Sequence, residues 1–520
     1  YHIEPFGYEK RNDLIDKWYR IGQNMSIFQS EAVADQIKII FNQVTAILGK
    51  ELMPAYPIFI LPLLQTQQII QENNAPLQHT SYATLYEILL KGALNKSNFV
   101  QSDYDGVIRF LSYVAYHMHQ HKVKVFAEFT TSSTPVGFYD KYDEYTKSYN
   151  LREGRETILA KLKVSFVREE ENAIYSFSYK YIYYYLVARY IAENLDSDNG
   201  KKEVIELRNT LHKEESANVL VFLAYLDKNK VLLDELQLAT WLPFDEIPEA
   251  TLRQDDLLFK KLQQLISSIK DNILQLNVDS KHERSRQLNE ADKQSRQIKA
   301  AQQSGNAIIP TEEDFEHDPI LRDINNTYRI TSIIGQVVKN QRDTVKRETL
   351  ISLIEDTYRA NFRFINYIAD MLSREKKEII DGFIANNPRA RSMKYSELER
   401  RVGTLLQQLL LKLTFGTFSH LSVSVGTGGI DKYYDDVASR IDSPAADIIS
   451  FTIKSYYAPM KTSELEYLMC KYRNNIVVTN FLRARVRAYV YNHELSREKK
   501  QQLGQIAGMK MIDSHATALS

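Results

Sequence analysis

The chain is 520 residues long, too long for one hydrophobic core, and ordinary domain sizes predict about three or four domains. Lys+Arg and Asp+Glu balance at 66 each, so no overall charge argues for nucleic acid or for an anionic membrane surface. The lone Cys470 excludes an internal disulfide framework and a cysteine-based zinc cluster, which fits a reducing cytosol and predicts a cytoplasmic protein.

The hydrophobic fraction of 44% with 25% charged residues is that of a soluble globular protein. The longest apolar runs, 56–64 and 405–411, fall short of the roughly 20 residues a membrane span needs, so no membrane partner is expected. Only 18 Gly and 13 Pro punctuate the chain, and breakers this sparse predict a mainly α fold of helical bundles. The chain opens on Tyr1 with no signal-peptide pattern, which predicts a piece of something longer.

Residues 1–23 read as a short extended piece leading through Pro5 and Gly7 into a helix whose apolar face carries Leu14, Ile15, Trp18 and Tyr19. A helix over 30–49 precedes the stretch 53–60, where Pro54 and Pro57 form a rigid turn at the head of the next helix. By its residues alone, Pro57 is a proline at a first helical position. Two amphipathic helices follow, over 80–94 and 104–121. The second ends in His117-Met118-His119-Gln120-His121. The spacing of His117 and His121 suits a metal, but no carboxylate or Cys lies close by at suitable spacing, so a surface or capping group is the reading.

Residues 123–195 assemble a winged-helix pattern: a strand over 123–129, helices over 137–150 and 155–164, and a hairpin from 165–169 to 174–177 turning at Glu171-Asn172. The second helix carries Arg155, Lys161 and Lys163, but the acidic run 169–171 beside it argues against direct reading of DNA. The pattern closes on FSYKYIYYYLVARYIAENL, 177–195, where a strand end feeds an aromatic helix with Ile182, Tyr185, Leu186, Tyr190 and Ile191 on one face.

That closing stretch resembles the FxHxxxxEyfxAxylae line ending the winged helix of NACHT-type STAND NTPases, whose bacterial members often read F-x-Y-x-Y-x-Y-Y-Y. The segment 1–23 resembles the strand-to-helix exit from the family's nucleotide-binding core, and 53–60 resembles its P-x-x-L corner. The resemblance covers residues 1–195. It implies that Pro57 packs against the adenine of bound ADP or ATP. In the family a histidine two residues after the Phe reaches the β-phosphate; here Tyr179 stands there, followed by Lys180. A phenol can donate to phosphate and an ammonium can pair with it, so both are carried as cofactor-binding residues.

Past a polar break at 197–202, helices are expected over 204–212, 217–225, 229–238 and 255–275. Residues 279–306 are dominated by charged and amide side chains with few apolar anchors and read as a mobile linker or a solvated helix. Their mixed charge argues against an RNA-binding tail. The block 315–520 is helical by pattern over 320–339, 349–371 and 398–415, with no solenoid repeat. The glycine-rich 425–429 lacks the Lys-Ser/Thr of a phosphate loop and reads as a turn, while Arg483, Arg485 and Arg487 form either a solvated or a ligand-facing basic patch.

The expected organisation is therefore a helical lobe (1–122), a winged helix (123–195), a helical connector (196–278), a charged linker (279–314) and a helical C-terminal sensor (315–520). No phosphate loop, Mg²⁺-holding acidic pair, metal site or nucleophile motif is present in the sequence, so no catalytic residue is assigned. The resemblance implies ADP or ATP with Mg²⁺, bound mainly by a core outside these residues. It also implies a homo-oligomer on activation, an N-terminal effector, and a phage-derived trigger (protein or nucleic acid). The rivals are a winged-helix transcription regulator and a helical scaffold with no nucleotide.

Overall fold

The computed structural model describes residues 4–21, 36–42, 44–45, 48, 55–72, 82–171, 173–267, 272–304, 310–386 and 393–513. Pro54 and much of the helix expected over 30–49 lie outside the described residues. The chain is mainly helical and divides into two compact units, one holding the N-terminal segment with Ile37–Leu236, the other Gln237–Ser520. That division falls inside the stretch read as a connector.

In the first unit α1 (Tyr8–Arg20) follows an extended piece whose Phe6 amide donates to Ala55 O at 2.9 Å. Then come α2 (Pro57–Glu72), α3 (Tyr82–Lys96) and α4 (Tyr104–Gln120). The next elements run β1 (Val125–Ala127), α5 (Phe138–Tyr145), α6 (Arg155–Leu162), β2 (Val167–Glu169) and β3 (Ile174–Phe177). The strands form an antiparallel sheet in the order β1-β3-β2, with Val125 opposite Ser176 and Val167 opposite Phe177. Alternation puts Tyr175 and Phe177 of β3 on one face, where both are buried, Phe126 packing beside them. The aromatic helix α7 (Lys180–Glu193) leaves directly from this sheet and buries Tyr181 through Ala188 without a break, packing on α4 and on α9 (Glu214–Leu226). A helix apolar all round must be central, and α7 is. Between them lies α8 (Asp198–Asn209), capped by the Ser197 side chain, and α10 (Lys230–Trp241) follows.

The second unit begins with α11 (Leu257–Ser267). Ile273–Gln275, expected as the end of this helix, is instead strand β4, drawn into parallel pairing with β5 (Lys510–Ile512). No periodicity local to 273–275 announces a partner more than 230 positions away. Residues 279–306, read as a mobile linker or a solvated helix, hold a 24-residue helix, α12 (Ser280–Gln303), and the short α13 (Glu312–His317) follows. Asp279 explains where α12 starts, since its carboxylate accepts from Lys281 N at 2.9 Å and His282 N at 3.1 Å. Its Ala, Gln, Lys, Arg and Glu content sustains it.

The remaining helices are α14 (Pro319–Gln341), α15 (Arg347–Arg374), α16 (Lys376–Asn386), α17 (Tyr395–Val425), α18 (Asp431–Ile441), α19 (Pro444–Tyr457), α20 (Thr462–Lys471), α21 (Ile476–Asn492) and α22 (Arg497–Ile506). Helices α14, α15 and α17 pack on one another around Ile334, Ile354, Phe362, Phe418 and Leu421. Gly335 permits the crossing of α14 and α17: a Cβ there would stand 2.2 Å from Ser424 O. One face of α15 holds the chain entering the unit. Arg359 donates to Glu249 at 2.9 Å, Arg363 to Thr240 O at 2.6 Å and Asn366 to Pro248 O at 2.9 Å, residues spaced i, i+4, i+7. No described helix is long and apolar enough to cross a membrane.

Candidate functional site

Two stretches far apart in sequence meet in the first unit. Tyr56 O accepts from Phe59 N at 2.9 Å and Ile60 N at 3.1 Å, so α2 starts at Pro57, whose fixed φ and missing N–H cost nothing at a first helical position. One half-turn on, the Phe59 ring stands edge-on to Tyr179 at 5.2 Å and also reaches Tyr181 at 6.4 Å. Tyr179 is the N-cap of α7, extended at φ −137° and ψ 140°, with no side-chain capping bond. Tyr181, buried at 2% exposure, stacks on Tyr179 at 5.9 Å and continues to Tyr86 at the same distance; Tyr86 in turn meets Phe222 of α9 at 4.7 Å. Aromatic contacts of this kind each add about 0.5–1.5 kcal/mol beyond burial. The column fixes the starts of α2 and α7 against the same core.

Lys180 is exposed and already engaged, its Nζ 2.8 Å from Glu214 Oε1. Glu214 and Glu215 open α9, where the positive helix terminus favours them. Glu215 is the hub of a half-buried network. It accepts from Tyr183 OH at 2.6 Å and from Lys124 Nζ, and lies 2.8 Å from His119 Nδ1. The other ring nitrogen of His119 faces Glu203 at 3.6 Å, and Glu203 also accepts from Gln120 at 2.5 Å and Tyr116 OH at 3.2 Å. Burial alone would pull the imidazole down, but its hydrogen bonds and charge pairing with both carboxylates push it up to about 9. Burial likewise works to raise Glu215, and His119, Lys124 and Tyr183 outweigh it, holding the carboxyl at about 2. His119 is therefore an imidazolium at neutral pH, cross-linking α4 to α8 and α9. The Glu203 side opens onto a cleft of about 120 Å³ that Tyr116, Tyr190, Asn194 and Ser197 also line.

The histidines of α4 thus diverge. His117 stands edge-on to Tyr113 at 4.5 Å, and burial, then the nearby Lys141, pushes it down to about 4. Among the described residues no cluster of three or more His, Cys, Asp or Glu side chains could hold a metal. The acidic partners of His119 lie 84 and 96 positions ahead of it, beyond the reach of any local pattern; a double glutamate at a helix start was the one visible signal.

The other marked motifs are structural. The 425–429 turn is tied inward: Arg342 donates to Thr427 Oγ1 at 3.1 Å and Gly428 O at 2.5 Å, and Tyr434 OH accepts from Thr427 N at 2.9 Å. Gly429 sits at φ 84°, where only glycine is unstrained. The three arginines of α21 form no common patch. Arg483 donates to Ala507 O at 2.9 Å, Arg487 to Ile273 O at 3.0 Å, and Arg485 stacks 3.8 Å over Tyr456 while donating to Ser455 at 2.7 Å. The chain matches no family model, no curated protein and no solved structure.

Proposed function

We propose that this chain is the regulatory and sensor part of a STAND NTPase acting in anti-phage defence. At rest ADP is clamped between a phosphate-loop core outside these residues and the site formed by Pro57, Tyr179 and Lys180. Pro57 packs on adenine, while the Tyr179 phenol and Lys180 ammonium face the phosphates. A phage-derived trigger binding residues 200–520 favours the open state, ATP with Mg²⁺ replaces ADP, and the protein oligomerises to activate an effector. A trigger does this only through higher affinity for the open state than for the closed one.

The observation that carries the reading is the contact of Phe59 with Tyr179 at 5.2 Å. It joins the Pro57 corner to the start of the tyrosine helix, two stretches that a clamp on one nucleotide requires side by side. The order helix–strand–helix–helix–strand–strand over residues 104–177, with β3 central, supports a winged helix between them. As a DNA reader that winged helix is poorly equipped. Arg155 is paired with Asp143, Lys161 with Glu153 and Lys163 with Glu169, so the helix that would enter a groove has its cations already neutralised.

The test is the nucleotide content of the native protein. Denaturation should release close to one ADP per chain, and Tyr179→Phe with Lys180→Ala should lower that occupancy while the far-ultraviolet circular dichroism stays unchanged. A native mass equal to this chain with no nucleotide released overturns the reading and leaves a helical binding protein.

A further inference from the structure

The mixed charge of α12 resolves, along the helix, into two unlike halves. Glu283 and Glu290 lie in the first half and both pair with Arg286, at 2.7 and 2.9 Å; the third carboxylate, Asp292, stands at the midpoint on the same side as the cations that follow, and its carbonyl accepts from Arg296 at 3.4 Å. From Lys293 to Thr311 the sequence contains no Asp or Glu at all, while Lys293, Arg296 and Lys299 follow one another at intervals of three. In a chain whose charges balance overall, this is a local cationic excess. The helix carries it away from any core: Ser280 is its one buried residue among those described, and from Lys293 to Ala300 every side chain except Ser295 is exposed.

At about 100° and 1.5 Å per residue, the three cations occupy an arc of about 120° and a length of about 9 Å. No apolar side chain larger than Ala300 shares that arc, and the exposed Ile298 points elsewhere. A protein partner would need an apolar anchor at the centre of such a face. The sugar–phosphate backbone of a nucleic acid needs only regularly spaced cations, and one strand presents a charge about every 3.4 Å. Gln297, bordering the arc, adds a neutral donor suited to phosphate oxygens.

We propose that the exposed second half of α12 is a docking surface for the sugar–phosphate backbone of a nucleic acid, engaged through Lys293, Arg296 and Lys299 without reading sequence. This is independent of the nucleotide reading above, because it invokes neither Pro57 nor Tyr179.

The experiment is fluorescence anisotropy of the full chain with a labelled 25-nucleotide single-stranded RNA and a labelled 25-base-pair DNA duplex, from 50 to 200 mM salt. At 50 mM salt K293Q/R296Q/K299Q should bind at least about tenfold more weakly, and the slope of log K against log salt should fall by about 2 to 3. The control K377Q/K394Q/R400Q removes three exposed cations of the same unit and should leave affinity unchanged. Since all six positions are exposed, circular dichroism should match the wild type. Binding to either probe with this pattern supports the proposal, and the stronger probe identifies the strand type. It is overturned if neither probe binds, if the α12 triple variant binds like the wild type, if the control triple weakens binding as much, or if polyglutamate displaces the probes at equal charge concentration, which would point to an acidic protein.

Discussion

Replacing His119 by glutamine keeps much of the reach of the side chain but removes its charge. In the folded protein the imidazole is raised to about 9 from 6.5 by Glu203 and Glu215. A raised folded value means that the stabilisation is fully present below pH 6.5, where both states are protonated, and is lost as pH rises through 9. Over that window one proton's worth of linkage amounts to about 3 kcal/mol, most of it still present at pH 7. The depressed Glu215 reports the same contact from the acid side and is not added to it. Urea unfolding followed by circular dichroism at intervals from pH 6 to 9.5 reads the effect. The wild type should lose about 3 kcal/mol across this range that H119Q does not lose, and H119Q should be the less stable protein at pH 6.5. If the two proteins fall in parallel from pH 6.5 to 9, the network does not hold a charged imidazole.

Gly335→Ala forces a methyl group to within 2.2 Å of Ser424 O, so α14 and α17 must separate; a loss of about 3 kcal/mol in urea unfolding is expected. Arg485→Met should be neutral or stabilise by about 1–2 kcal/mol, because the buried Nη2 has no partner among the described residues and no carboxylate among them pairs with the guanidinium. A clear destabilisation would mean that the stacking on Tyr456 outweighs that cost. Arg363→Ala removes the bond to Thr240 O and should raise hydrogen exchange at 240–248 at least about tenfold, with α18 unaffected.

What the sequence disclosed and what it hid divide by distance along the chain. The strand–helix–helix–hairpin order from 123 to 177 was legible because each element carries its own period and its own turn residues, and α7 was legible because aromatic residues on every side of a helix leave it nowhere to go but the interior. The strand at 273–275 was not, since three residues acquire that state only from partners at 510–512. The same holds for the three arginines of α21. Alternate spacing suggested a patch, whereas their ends are consumed by Ala507 O, Ile273 O and the Tyr456 ring, which no local rule connects to them. At the candidate site the residues were visible and their neighbours were not. Pro57 and Tyr179 stand out separately in the sequence, and only the fold sets Phe59, two residues after Pro57, against Tyr179.

The proposed clamp carries a requirement that its own geometry makes testable. Lys180 can pair with a phosphate only by leaving Glu214, which now holds it at 2.8 Å, and Glu214 has the Tyr184 hydroxyl at 3.4 Å as a second neighbour. Both members of the ion pair are roughly half exposed, so the pair is worth about 0.2–1 kcal/mol and is exchanged at little cost. Glu214→Gln should therefore release Lys180 and tighten ADP by up to about fivefold, the affinity equivalent of that energy. Lys180→Ala should abolish the gain, so the double variant binds like Lys180→Ala alone. Calorimetric titration of nucleotide-stripped native protein with ADP reads all three variants. Tightening by Glu214→Gln that survives the loss of Lys180 would mean that removal of negative charge, and not release of the lysine, acts on the nucleotide, and Lys180 would then have no place in the clamp.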